Sequence, residues 1–177
     1  MVKRLFITSL LCSLFQIFSC NAADGVNNTP VSIGNLDRYM GTWYEIARFD
    51  HSFERGRTNT MAVYTKKMDG TISVENVGMK KGKQKISSGT AKTTDTSGML
   101  RVTFFWPFYS DYRVLMLADD YSYALVGGSS AKYLWVLARS PKISQSVRDR
   151  LMNEAKRRGY DTKKLIWVDQ TQNLAKF

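Results

Sequence analysis

"GTWYEIARFDHSFERG", residues 41–56, is the stretch on which the fold turns. From Thr42 to Phe49 polar and apolar side chains alternate among aromatic and β-branched residues, the pattern of a half-buried strand, and strict alternation sets Trp43, Glu45 and Ala47 on one face. At Asp50 the pattern breaks into a charged, aromatic loop running to Arg57, with no proline and no evident catalytic group. The residues beyond that loop decide what the first strand belongs to.

Seven more runs of the same kind come after it, at 58–67, 71–78, 84–93, 99–105, 111–118, 121–127 and 132–139. Turn-forming residues separate them: Asp69-Gly70, Ser97-Gly98, Asp119-Asp120 and 127–130. Short, evenly spaced strands joined by hairpins predict an all-β fold. Eight of them close into an antiparallel up-and-down barrel, which has no free edge and leaves room for one small ligand. After the strands, Ser144 is a helix cap, Val147, Leu151 and Ala155 recur every fourth residue, and Gly159 is a natural stop, so one amphipathic α-helix succeeds the barrel. Its basic residues are a solvated face with cations matched to the C-terminal end. Leu165 to Val168 reads as a short ninth strand that pairs back onto the barrel.

Upstream, residues 1–19 pair a basic start, Lys3-Arg4, with a hydrophobic run too short to be kept as a membrane span, and read as a signal peptide. Cleavage falls either just before Cys20, in a context like the bacterial lipobox, or after Ala22. Cys12 leaves with the leader, so the mature chain keeps at most Cys20 and forms no intramolecular disulfide. Lipid on Cys20 disposes of that lone thiol and anchors the chain to a membrane, and Asn21 rather than Asp after it suggests the outer membrane; the alternative is a soluble periplasmic or secreted protein. Residues 20–34 read as a polar tether and 35–177 as one barrel domain. The formal charge of +11 falls by two on loss of the leader. In an exported chain this basic balance favours an anionic lipid surface and argues against nucleic acid as partner.

Three motifs in chain order carry a resemblance. Gly41-Thr42-Trp43 opens the first strand and runs on into YEIARFDHSFERG, Asp119-Asp120-Tyr121 fills the turn before the seventh, and Arg139 ends the eighth in LWVLARSP. With the helix and last strand behind them, they span nearly the whole mature chain, which resembles the lipocalins and, within them, the bacterial outer-membrane lipoprotein branch. The usual second motif has Thr where this chain has Asp119, a departure confined to the turn's own bonding. Strand order brings Gly41, Trp43, Asp120, Tyr121 and Arg139 to one end, where an arginine stacked on an indole closes the barrel.

Function is therefore expected at the other end. There the rim gathers Phe53, Trp106, Phe108 and Tyr109 beside Arg57, Lys80, Lys81 and Lys83, a mouth suited to an amphiphile with an anionic head. By resemblance, Tyr64, Asn76 and Trp135 match lipocalin pocket positions. Phe104 and Tyr112 flank the aromatic turn and join them, with Ala47, Val74, Gly89 and Val114 as further lining from alternation. The resemblance implies a non-enzymatic carrier or store of fatty acids or lysophospholipids at the cell envelope.

Catalytic signatures are absent from the sequence. One histidine, His51, excludes His-rich metal clusters, no dinucleotide or nucleophile-elbow motif occurs, and "GMKKGK" (78–83) lacks the Ser/Thr of a phosphate loop; neither cofactor nor metal is expected. His51 reads as a surface or loop-bracing side chain. Glu45, facing the barrel interior, must be hydrogen-bonded, paired or protonated. It or a pocket tyrosine keeps one rival reading open, an enzyme acting on a lipid or isoprenoid; the basic rim carries another, an interaction module that docks on an anionic envelope component without loading the barrel. Oligomeric state is left open.

Overall fold

The structure, a computed structural model, describes residues 25–175; residues 1–19, expected to be a signal peptide, and Cys20 lie outside the described residues. A single turn of helix, α1 (Leu36–Tyr39), leads into eight antiparallel strands: β1 (Gly41–Phe49), β2 (Thr58–Lys66), β3 (Ile72–Lys80), β4 (Lys83–Thr93), β5 (Met99–Phe105), β6 (Phe108–Leu117), β7 (Tyr123–Gly127) and β8 (Leu134–Ala138). Each pairs with the next, and β8 and β2 both pair with β1, closing the barrel. Helix α2 (Gln145–Arg157), capped by the Ser144 side chain, then leads to β9 (Leu165–Trp167), which pairs with β1 outside the ring, and to a last turn of helix, α3 (Thr171–Leu174). The expected architecture is the observed one. The largest boundary difference is at β6, which resumes at Phe108 because Trp106-Pro107 alone makes the turn.

Two apolar layers hold the fold. Inside the ring, Trp43, Tyr64, Ile72, Val74, Leu100, Val114, Val126 and Leu137 pack together. Outside it, Ile46, Ala47, Phe49, Leu115, Leu125, Leu134 and Val136 meet Leu151 and Ala155 of α2. β1 contributes to both layers through a bulge. Glu45 pairs with Leu137 and Ala47 with Val136, leaving Ile46 as the extra residue. Side-chain parity inverts there, so Ala47, expected to line the lumen, belongs to the outer layer, and Arg48 turns inward in its place. The bulge also marks where β1 and β2 part: their pairing covers only Gly41 to Tyr44. The Gln170 amide bridges the gap by donating to the carbonyls of Glu45 and Thr60, and Asn173 donates to that of Asn59.

Residues 26–34, expected within a polar tether, are instead part of the body. Val26 is buried in the outer layer and Ile33 in the inner one. Arg158, itself 5% exposed, donates to the carbonyls of Asn27, Thr29 and Leu115, and the Val31 amide donates to the Val114 carbonyl. The sequence hides this because the segment is bound through its backbone. Gly98 records the close approach: with φ of 84°, it sits where a β-carbon would fall 1.8 Å from the Val31 carbonyl oxygen.

The closed end is latched by Arg139. Its guanidinium lies 3.9 Å from the Trp43 ring centroid and donates to the carbonyls of Thr42, Arg38 and Met40 at 2.7–2.8 Å. Trp43 Nε1 donates to the Tyr39 carbonyl, and the Tyr121 hydroxyl donates to that of Ile33, with Arg38 over its ring. Asp120 accepts from the Ser122 amide and hydroxyl, and Gly41 holds a φ of 91° that residues with a side chain rarely adopt. Arg139→Lys keeps the charge and loses the fork that reaches three carbonyls, so about 2–3 kcal/mol of unfolding free energy should be lost, measured by urea denaturation. A loss below ~0.5 kcal/mol contradicts the latch.

Candidate ligand site at the open end

The opposite end is ringed by the β1–β2 loop (50–57), the β3–β4 turn at Lys81-Gly82, the β5–β6 turn at Trp106-Pro107 and the β7–β8 loop (128–133). The β1–β2 loop folds inward as a lid. Glu54 is 4% exposed, and its carboxylate accepts from Trp135 Nε1 at 3.1 Å. His51, 8% exposed, stacks on Phe53 with ring centroids 4.4 Å apart, touches Tyr133 and Trp135, and holds Nδ1 3.2 Å from Glu54 Oε2. It is thus a buried lid residue rather than a surface one, because three aromatic rings enclose it.

Arg48 ties this lid to the barrel. Its guanidinium bonds Glu45 Oε1 at 2.6 Å and the carbonyls of Glu54 and Arg57 at 2.9 and 3.2 Å, while Arg57 reaches across to the Ser87 hydroxyl. Two guanidinium and two carboxylate groups therefore meet under the lid. Burial raises the Glu45 pKa most, with the Glu54 carboxylate adding to it and Arg48 and Arg57 opposing. Burial likewise raises that of Glu54. For His51, burial and then Arg48 lower the pKa to about 4, so the imidazole is neutral at pH 7. The Nε atoms of Arg48 and Arg57, both His51 nitrogens and Thr60 Oγ1 have no hydrogen-bond partner among the described residues, leaving polar capacity on this side of the lumen.

Below the cluster the wall is apolar, with Ala62, Val74, Val114, Val126 and Leu137. The floor is a group of phenols: the Tyr112 hydroxyl lies 2.7 Å from that of Tyr39 and 3.2 Å from that of Tyr64, with Tyr39 on the Trp43 ring. Burial pushes the Tyr64 hydroxyl pKa up to about 12, and those of Tyr39 and Tyr112 higher, so all three stay protonated. The lumen is not uniformly filled. Its β7 side is sealed, whereas Asn76, Ser87, Gly89 and Tyr112, and Trp135 of β8 under the lid, remain partly accessible and Phe104 is 37% exposed. Two open clefts on the outer surface, one beside Asp149, Arg150 and Arg157, lie away from this lumen.

Among the sequence-derived positions, Tyr64 and Tyr112 meet at the floor, Trp135 stands under the lid, and Asn76 lies between Ala62 and Ser87 on the wall. Val74 and Val114 belong to the inner layer, and the Phe104 ring fills the space a side chain at Gly89 would take. At the rim, Phe53, Trp106, Phe108, Lys81 and Lys83 are exposed, Lys80 is partly so, and Arg57 bends into the lumen. Tyr109 departs from the rim: it sits beside Lys92 of β4, 5.6 Å from ring to Nζ, in line with the outward residues of that strand. Three residues of the site, Arg48, Glu54 and Tyr39, give no signal in the sequence. Arg48 is masked by the bulge, Glu54 by its place in a loop, and Tyr39 by lying before the first strand.

The Lipocalin-like domain family matches residues 34–170. The chain is 42% identical over 166 residues to the outer membrane lipoprotein Blc of Vibrio cholerae, covering 91% of this chain and 96% of that one. It is 39% identical over 175 residues to the Blc lipoprotein of Escherichia coli K12, covering 96% and 98%. Among solved structures the cockroach allergen Per a 4 superposes with a TM-score of 0.68 over 83% of this chain and 95% of its own, at 21% identity, a likeness of fold alone.

The histidine gives the site a pH signature. Because folding holds the His51 pKa near 4, below its usual 6.5, the unfolded chain takes up that proton first; the stability tied to neutral His51 is complete above pH ~6.5 and drains away towards pH 4. Glu45 and Glu54, with raised values, act in the opposite sense, so a single-site comparison is needed. Relative to His51→Phe, the parent chain should lose about 3 °C or more in melting temperature between pH 7 and pH 4.5. A pH-independent difference contradicts the buried neutral imidazole.

Proposed function

The chain belongs to the lipocalin family, and on that premise we propose that it carries or stores one anionic amphiphile, a fatty acid or lysophospholipid, without transforming it. Tail and head have separate places in the barrel. An acyl chain lies along Val74, Val114, Val126 and Phe104 towards the tyrosine floor, and the anionic head lies under the lid near Arg48 and Arg57. The observation that carries the reading is the unevenness of the lumen: several inward side chains keep solvent exposure, Phe104 at 37%, above an apolar wall and below buried Arg48 and half-buried Arg57, each with an unpaired Nε donor. Each methylene buried contributes ~0.8 kcal/mol, so long chains offset the cost of association and short ones do not.

Relatives named outer membrane lipoproteins, at 42% and 39% identity, support a place at the bacterial outer membrane. In this reading residues 1–19 are removed and Cys20 carries the lipid. A non-enzymatic role is supported by Glu45, the carboxylate on which a catalytic alternative rests: it is bonded to Arg48 at 2.6 Å and shares that cation with the lid.

Titration of the mature protein with a lysophospholipid and the matching free fatty acid, at low and high salt, tests this directly through tryptophan fluorescence and native mass spectrometry. Saturable one-to-one binding that tolerates salt is expected, since a buried site is little screened. Trp135→Glu places a charge beside Glu54 in the lumen and should weaken binding about a hundredfold or more. Unchanged affinity in that variant, or conversion of either ligand to a product, overturns the proposal.

A further inference from the structure

The β5–β6 turn carries three large apolar side chains that the fold leaves bare: Phe105 and Trp106 are each 81% exposed and Phe108 is 78% exposed. Neither apolar layer includes them. They stand at the mouth beside Lys81, Lys83 and Lys85 of the neighbouring β3–β4 hairpin, exposed cations with no ion pair among the described residues, and the lid adds Phe53, 53% exposed. Bare aromatics within reach of free cations match the boundary of a phospholipid bilayer, where rings sit at headgroup depth and lysines meet anionic lipid. An exposed apolar tip of this kind in a soluble domain marks an interaction site.

The course of the N-terminal segment points the same way. The Tyr160 hydroxyl bonds Asn28 Oδ1, and its ring is edge-on to Phe49, the last residue of β1. A β-carbon on Gly127, the last residue of β7, would lie 2.7 Å from the same hydroxyl. Phe49 and Gly127 are both mouth ends of their strands, so the chain joins the body near the mouth and then descends past Val31 to Ile33 and Tyr121 at the closed end. Cys20 stands five residues before Gly25 and can lie at most ~18 Å of extended chain from it, less than the ~30 Å length of a nine-residue strand. A lipid at Cys20 therefore keeps the membrane at the mouth end.

We propose that the barrel docks mouth-first on a phospholipid bilayer, with Phe105, Trp106 and Phe108 set into the interface and the lysines of the β3–β4 hairpin on anionic headgroups, so that an amphiphile passes between bilayer and lumen without crossing bulk water. The anchor half rests on the lipoprotein reading above; the aromatic tip does not. The test uses two forms of the mature chain. In the lipidated protein, reconstituted in vesicles of phosphatidylethanolamine and phosphatidylglycerol, the emission lost on Trp106→Ala should be the component quenched by a nitroxide near the headgroup. In the Cys20→Ala chain, vesicle binding should fall about tenfold or more when Phe105, Trp106 and Phe108 are all changed to serine, and also in phosphatidylcholine vesicles or high salt. Melting temperature should stay within ~1 °C, since the three side chains pack on nothing.

Lipid on Cys20 with Trp106 unquenched overturns the docking while leaving the anchor standing. A protein without lipid whose tip still binds vesicles removes the anchor and leaves the docking. If the Cys20→Ala chain ignores vesicles and forms dimers that the serine changes abolish, the tip is a self-association surface and the proposal fails.

Discussion

Arg48 is 2% exposed inside a barrel whose middle wall is apolar, and the mouth is arranged about the need to satisfy it. A desolvated guanidinium without partners costs several kcal/mol, so the position is tenable only because Glu45 and two carbonyls of the 50–57 loop accept from it. That requirement folds the loop inward. Glu54 then reaches Trp135, His51 is enclosed among rings, and Arg57 is carried across to Ser87. The lid is thus a consequence of one bulge in β1 that turns an arginine into the lumen.

Two other arginines perform comparable work elsewhere. Arg139 binds the carbonyls of the short segment that closes the far end, and Arg158 binds those of the segment that runs along the outside of β6. Each serves backbone that no strand ladder satisfies, which suits a planar fork of several donors better than a lysine. The arginines of the two ends differ in what remains free. Arg139 is spent on structure at the closed end, whereas Arg48 and Arg57 each keep an unpaired Nε above the apolar wall. The polar capacity for a ligand head is therefore concentrated at the mouth.

Much of this is legible in the sequence, for identifiable reasons. Strand positions come from alternation and turn residues, and the closed end comes from Trp43 and Arg139, whose roles depend on strand order alone. Alternation fails at Ile46 because a bulge adds a residue without changing the pattern of polar and apolar side chains; it sets Ala47 inside and misses Arg48. Residues 26–34 look like a tether because they are fixed mainly by carbonyl and amide groups, which every residue carries. Glu54 and Tyr39 lie outside the barrel strands, where periodicity gives no information about what a side chain meets.

The direction in which a ligand lies in the barrel is the point at which the division into polar mouth and apolar floor is most directly tested. Stearate bearing a nitroxide at carbon 5 or carbon 16, added to isotope-labelled protein, reports that direction through broadening of backbone amide signals. Head at the mouth and tail at the floor predict that the carbon-16 label broadens Trp43, Leu100 and Val114, while the carbon-5 label broadens Arg48, Glu54 and Trp135. Broadening confined to the rim at Phe105 to Phe108, to the outer face of α2, or in the reverse order along the barrel would contradict it.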